Sequence, residues 1–267
     1  MIIDAHIHCS GDEKVDDVLQ ALDLAQVDKA VVLAPFLSGP YSMHDSASLR
    51  SANHYLSQLV GHHTDRLIGF AVINPSLEGA CEDLVSAHEL GLHGLKMVPA
   101  GWYPYDDCAR DVYETAARLK IPILFHSGIF IDGKSGRFCR PSFYEAIRDY
   151  PDLRVTLAHL GWPWSDEANA VGLIDLINGV PPDNSQFRFD ISFGAPPVYR
   201  LEVLRKAIDV LTPDLLQFGS DVFLPCSGDL IKSRIDDVWT LLERLDVDKS
   251  SRDRIMGGTA AAWLGIN

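Results

Sequence analysis

The feature that most constrains this chain is a recurrence. Short apolar runs return down the sequence with starts about 30 residues apart, the length of one strand–helix–strand repeat. There are eight: "IIDAHIH" from Ile2, "AVVLAPF" from Ala30, "LIGFAVIN" from Leu67, "GLKMVP" from Gly94, "IPILFHS" from Ile121, "RVTLAHL" from Arg154, "FRFDISF" from Phe187 and "LLQFGSD" from Leu215. Runs that are apolar on both faces read as parallel strands buried on both sides.

Helical patterns fill the gaps. Val15, Val18, Leu19, Leu22 and Ala25 form an amphipathic stripe after the first run. "DDCARDVYETAARLK" precedes the fifth run, and "SRIDDVWTLLERL" follows the eighth. "RPSFYEAIRDYPD" carries Pro141 at a helix start and Pro151 just past its end. The tail "RDRIMGGTAAAWLGI" reads as a last helix packed on the barrel, and "GVPPDNSQ" as a loop before the seventh strand. Eight such units with no break in composition predict a single α/β domain over 1–267, a (β/α)8 TIM barrel. A doubly wound sheet is the alternative, but it gives no reason for eight even units.

The chain has 267 residues, of which 47 % are apolar, enough for one large core. Lys and Arg number 23 against 37 Asp and Glu, a formal charge of −14. That balance argues against nucleic acid or an anionic membrane as partner, though not against a small anionic substrate. No apolar run is long enough to cross a bilayer, and the start lacks the pattern of a signal peptide. Five dispersed cysteines without CxxC spacing fit a reducing compartment, so a cytoplasmic protein is expected. A homodimer is compatible with all of this, but no interface is readable.

Barrels of this kind carry their active sites at the C-terminal ends of the strands. The first run ends in His6-Ile7-His8, the fourth carries Lys96, the fifth ends at His126, the sixth at His159 and the eighth at Asp221. Alternate strand residues share a face, so His6 and His8 point the same way, with Cα atoms roughly 6.6 Å apart. Two imidazoles at that spacing can converge on one ion, and His126 and Asp221 can complete its ligands across the barrel mouth. Imidazole with carboxylate suits Zn, Mn, Fe or Co better than Ca. Asp4 shares the face but lies deeper, and reads as a buried polar partner. His44, His54, His62, His63, His88 and His93 fall in loops or helices and read as surface or packing residues.

The motifs "IIDAHIH", "ILFHSG", "VTLAHLGWPW" and "FGSD" resemble the amidohydrolase superfamily. The resemblance is to the amidohydrolase-related branch with aminocarboxymuconate-semialdehyde decarboxylase, resorcylate-type decarboxylases and pyrone-dicarboxylate lactonase, and it runs the whole chain in order. It implies His6, His8, His126 and Asp221 as ligands of one divalent ion, zinc first among the candidates. It implies His159 as an acid/base or substrate-polarising residue, and Asp221 as acceptor of a proton from water. Binuclear members carry a carbamylated strand-four lysine that bridges two ions, with the sixth-strand histidine on the second. Lys96 could play that part, but one metal is the preferred reading, with Lys96 as an ion-pair or substrate-carboxylate partner. The loop after His126 holds Lys134, Arg137 and Arg140; the arginines are candidate clamps for a substrate carboxylate, Lys134 a solvated charge. Trp162 and its neighbours offer an aromatic wall. The activity expected is hydrolysis of a small, carboxylated lactone or amide by activated water. Non-oxidative decarboxylation of an aromatic or muconate-like acid is the alternative served by the same ligands.

Overall fold

The structure is a computed structural model and describes residues 1–37, 39–192 and 194–266. Its elements follow the predicted alternation. The strands are β1 (Ile3–His8), β2 (Lys29–Leu33), β3 (Leu67–Val72), β4 (Gly94–Met97), β5 (Ile123–Phe125), β6 (Val155–Leu157), β7 (Phe187–Asp190), β8 (Leu216–Gln217) and β9 (Val222–Phe223). The helices are α1 (Val15–Leu24), α2 (Ser46–Val60), α3 (Ala80–Glu89), α4 (Asp107–Leu119), α5 (Ser165–Ile177), α6 (Pro197–Leu211), α7 (Gly228–Arg244), α8 (Lys249–Asp253) and α9 (Thr259–Leu264). All strand pairs are parallel, in the order β8-β7-β6-β5-β4-β3-β2-β1-β9. This is the TIM-barrel fold. Phe193, at the end of the seventh run, and Asn267 lie outside the described residues.

The eighth run differs from expectation. It leaves the ladder after Gln217 and rejoins as β9, which pairs with β1 through Ile7–Val222 and His8–Phe223. Between them the Ala5 N–H donates to the Phe218 carbonyl at 3.0 Å, and the Asp221 N–H to the His6 carbonyl at 2.8 Å. The seam that closes the barrel is thus β1 against an interrupted eighth strand. Asp221 marks the interruption: its φ is +56°, the left-handed region that Asp tolerates better than most residues.

Two apolar layers hold the fold. One cluster joins Val31, Leu33, Phe70, Leu124 and Ala158 from β2, β3, β5 and the end of β6 with Trp263 of α9. Gly94 makes room there, because a Cβ would stand 2.0 Å from the Phe70 ring. The larger cluster packs the opposite strand faces on the helices, with Val18 and Leu22 of α1 among its members. Capping follows the sequence: Asp45 accepts from the Ser48 N–H at the start of α2, and Ser227 from the Leu230 N–H at the start of α7. The Pro141–Asp149 segment is a 3-10 helix rather than the α-helix expected. Its buried residues Pro141, Tyr144 and Ile147 fall at every third position, the period of a three-residue turn. The predicted last helix is α8 and α9 joined by a π-helical turn over Arg254–Gly258. Among the described residues no helix is long and apolar enough to cross a membrane, and all five cysteines are free.

Candidate metal centre and active site

β1 ends at the C-terminal mouth of the barrel with His6 and His8, both buried. Their Nε2 atoms lie 3.1 Å apart. The turn after β8 brings Asp221 over them, with Oδ1 3.4 Å from His6 Nε2 and 3.2 Å from His8 Nε2. Bonds of about 2.0–2.1 Å in a tetrahedral site put neighbouring donor atoms about 3.3–3.5 Å apart. These three donors already sit at nearly that spacing. Two imidazoles and a carboxylate therefore fit a divalent ion in geometry as well as chemistry, zinc included.

Protonation supports the fit. His6 Nδ1 is 2.6 Å from Asp190 Oδ2, the last residue of β7. The carboxylate accepts the Nδ1 proton, which leaves Nε2 bare toward the ion. Burial and the nearby Lys96 charge hold His6 well below the usual histidine range, and burial lowers His8. Burial alone would raise Asp221, but His6, His159 and His8 around it hold it well below the usual carboxylate range. The tripod is neutral at its nitrogens and ionised at its oxygen, the state a metal needs.

His8 and Asp221 line a cavity of about 200 Å³, and four further residues from the sequence reading, Lys96, His126, His159 and Trp162, line it with them. Lys96 is buried with Nζ 3.2 Å from His6 Nε2. Burial brings its pKa down to about 8, against the pull of Asp221 and Asp190. His159 lies with its ring 5.3 Å from that of His6 and 5.0 Å from that of His126. Its φ of +62° is strained for a residue with a Cβ, as is +47° at Leu160. Gly194 packs against it: a Cβ there would stand 2.4 Å from His159 Cβ. Burial pushes the His159 pKa down to about 4, so its ring is neutral at pH 7. Trp162 lines the cavity too, as expected of an aromatic wall.

His126 lines the cavity but stands apart from the tripod. Its Nε2 is 2.8 Å from the Ile129 carbonyl, so that nitrogen is the donor, and the ring is outside the close groups of metal-capable donors among the described residues. Its expected place as a ligand is therefore not one the tripod requires. Burial also holds its pKa well below the usual range, with His159 adding to the effect.

The arginines require a correction. Arg140 pairs with Glu167 and lies over Trp164, 5.4 Å from its ring, while Arg137 lies over Phe138 at 4.7 Å. Neither lines the cavity. The loop folds back on itself: Asp132 accepts from the Lys134 and Ser135 N–H groups, and Gly136 packs on the backbone of Ile129 and Gly128. The apolar half, Ile129-Phe130-Ile131, thereby faces the cavity and the cationic half does not. Phe36 and Phe223 complete an aromatic wall, Phe223 stacked on His8 at 4.5 Å.

Asp190 and Ser192 are the site residues that the sequence reading does not single out. Asp190 meets the strand-end criterion that finds His126 and His159, so the signal was present at the end of the seventh run. Ser192 carries no such signal, since its Oγ reaches His159 Nδ1 at 2.9 Å only through the turn after β7. Asp4 is the buried polar partner expected: its Oδ1 accepts from the His6 N–H at 3.2 Å and the Ser220 N–H at 2.9 Å.

The family model described as amidohydrolase matches residues 3–266. No curated protein matches the chain at a significant level. Among solved structures it is similar to an uncharacterised TIM-barrel protein of Bordetella bronchiseptica, at 15 % identity, a TM-score of 0.74 and 99 % coverage of both chains. It is similar to a 2,6-dihydroxybenzoate decarboxylase from Rhizobium, at 15 % identity and a TM-score of 0.70, covering 99 % of this chain and 98 % of that one. A "probable 2-pyrone-4,6-dicarboxylic acid hydrolase" of Acinetobacter baumannii, solved with citric acid bound, matches at 16 % identity and a TM-score of 0.67, with 99 % coverage of both. At such identities these likenesses speak for the fold alone. The family model spans nearly the whole chain, and the chain belongs to the amidohydrolase family.

Proposed function

We propose that the protein is a metal-dependent hydrolase that opens a lactone or amide bond in a small, ring-sized substrate. The observation that carries this reading is the tripod of His6, His8 and Asp221, of which His8 and Asp221 line a cavity shared with His159. His6, His8 and Asp221 would hold one divalent ion, with zinc the first choice. Such an ion lowers the pKa of water toward about 7 and polarises a carbonyl oxygen. Asp221 accepts the proton that the attacking water gives up, which its ionised state allows. His159 faces the same space from the opposite strand end and meets the charge that builds on the carbonyl oxygen. Lys96 is the only Lys or Arg among the described residues of the wall, so it is the partner for an anionic substrate group. With Arg137 and Arg140 turned away, the cavity suits one such group better than two. A second ion on a carbamylated Lys96 with His159 is the lesser reading.

A second activity is favoured by a specific observation. The walls formed by Phe36, Phe130, Trp162 and Phe223 are apolar and ring-shaped, a setting that desolvates an aromatic carboxylate and so favours loss of CO2. The two readings separate on products. Zinc-loaded protein is incubated with a panel of aryl lactones, cyclic amides and hydroxybenzoates; lactone opening is followed by acid release in a pH-stat, amide opening by chromatography of the product, and decarboxylation by CO2. Ring opening without CO2 is expected; CO2 release from a hydroxybenzoate, with every lactone and amide inert, overturns hydrolysis.

A further inference from the structure

We propose that Ser192 is a positioning residue that holds His159 in its Nε2–H tautomer, so that His159 meets substrate as a hydrogen-bond donor and not as a base. The part concerning substrate rests on the hydrolase reading above; the tautomer does not.

Ser192 is buried, and its Oγ lies 2.9 Å from His159 Nδ1. Its backbone N–H is engaged separately, donating to Asp190 Oδ1 at 2.5 Å. Among the described residues His159 Nδ1 is the one hydrogen-bond partner of that hydroxyl. A hydroxyl carries one proton, so its direction decides the tautomer. If it donates to Nδ1, the ring proton sits on Nε2; if it accepts, Nε2 is bare.

The surroundings set that direction. Behind Ser192 and His159, between the β7 and β8 ends and helices α6 and α7, is a narrow space of about 30 Å³. Its other walls include Ile191, Ala195 and Leu204, with Arg200 and Arg234. Arg200 Nε donates to the Ala195 carbonyl at 3.3 Å, and its Nη1 is 3.8 Å from Asp237. Guanidinium groups bring donors and positive charge and no acceptor. Positive charge on that side favours the hydroxyl oxygen facing it, with the hydrogen directed to His159 Nδ1. The chain of contacts is continuous: His6 Nδ1 to Asp190, Asp190 to the Ser192 N–H, and Ser192 Oγ to His159. One turn after β7 thereby fixes the proton positions of both a metal-binding histidine and the histidine facing it. A neutral imidazole held as a donor can polarise a carbonyl at neutral pH without changing its charge.

The test is a long-range ¹H–¹⁵N correlation spectrum of histidine-labelled protein, zinc-loaded and metal-free, with His159 assigned through His159→Gln. The wild-type protein is expected to show His159 as a single Nε2–H tautomer in both states. Ser192→Ala is expected to convert it to a mixture, and Ser192→Thr, which keeps the hydroxyl, to restore it. On a substrate found by the product panel, Ser192→Ala should lower kcat about tenfold or more with KM held within about twofold, and Ser192→Thr should recover most of it. An Nδ1–H tautomer in the wild type, or a tautomer indifferent to Ser192→Ala, overturns the proposal. The wild-type spectrum decides even if Ser192→Ala does not fold. The spectrum also decides if the hydrolase reading fails, because it needs no substrate.

Discussion

A single carboxylate decides which nitrogen of His6 carries the proton. His6 Nδ1–H donates to Asp190 Oδ2 at 2.6 Å, which leaves Nε2 with a free lone pair and fixes the plane of the ring. Removing that acceptor charge weakens a ligand without removing it. Asp190→Asn is expected to lower zinc affinity by about 10–100-fold in competition with a chelator, while the far-ultraviolet spectrum stays unchanged. Unchanged affinity would show that His6 is held in place by packing alone. A second prediction concerns protons. The His159 pKa is about 4 in the folded chain, against about 6.5 when unfolded. Between those values the unfolded chain binds a proton that the folded chain refuses. This contribution therefore makes metal-free protein less stable as pH falls from about 6.5 toward 4. Asp4 acts in the opposite sense, since its pKa is raised to about 7 by burial and it favours the folded state while protonated. The comparison must therefore isolate His159. His159→Gln should narrow the loss of unfolding free energy between pH 7 and pH 4.5 by about 1–3 kcal/mol, read from urea melts of metal-free protein. A loss of the same size in both proteins would mean that His159 takes up its proton freely in the fold.

At the level of elements, the strands were legible and the turns that aim the chemistry were less so. A parallel strand is buried on both faces, so "AVVLAPF" or "IPILFHS" declares itself without reference to any partner. The histidines at strand ends were legible for the same reason, since a barrel fixes where strand ends go. β9 was not, because two residues carry no period. The inward face of the loop after β5 was not legible either. Whether Ile129 or Arg137 meets the cavity depends on how Gly128 and Gly136 let the loop fold back, which is a matter of long-range packing. The 3-10 segment was readable in principle, since Pro141, Tyr144 and Ile147 recur by threes. Close backbone approach makes a testable demand at the β8 turn. A Cβ at Gly219 would stand 2.7 Å from His6 Cβ and 3.2 Å from Asp190 Oδ1. His6 is tied to Asp190 and cannot retreat without giving up that contact. Gly219→Ala is thus expected to destabilise the fold by about 1–3 kcal/mol and to weaken zinc binding along with it. Gly79→Ala, at a φ of +80° where a Cβ meets nothing within 4 Å, strains the backbone without crowding the site and so serves as the control. Equal behaviour of the two variants in metal titration would refute a role for the close approach.

For the whole molecule, the position of the site on the barrel matters as much as its ligands. His6 and His8 belong to β1, the first strand, and Asp221 to the interrupted eighth. Those are the strands whose pairing closes the barrel, and the pairing is short: β9 meets β1 at two positions, with backbone bonds from Ala5 and Asp221 beside it. An ion held by both sides of that seam joins the two ends of the chain's strand order. Because the unfolded chain cannot present the three donors together, ion binding adds directly to folding stability. The gain is about 2.7 kcal/mol at 100 times Kd and about 4.1 at 1,000 times Kd. For a chain of this size each kcal/mol moves Tm by about 2–4 °C, so zinc-loaded protein should melt about 5–15 °C above chelated protein. The increment should be lost in Asp221→Asn, where the eighth-strand ligand loses its charge. It should survive in Arg140→Gln, because that side chain pairs with Glu167 outside the cavity. Calorimetry at matched free zinc distinguishes the cases. If Asp221→Asn keeps the full increment, zinc is bound by β1 alone and does not bridge the seam. If amide exchange slows on zinc binding at Ala5 and Asp221 first, the ion is acting where β1 and the eighth strand meet.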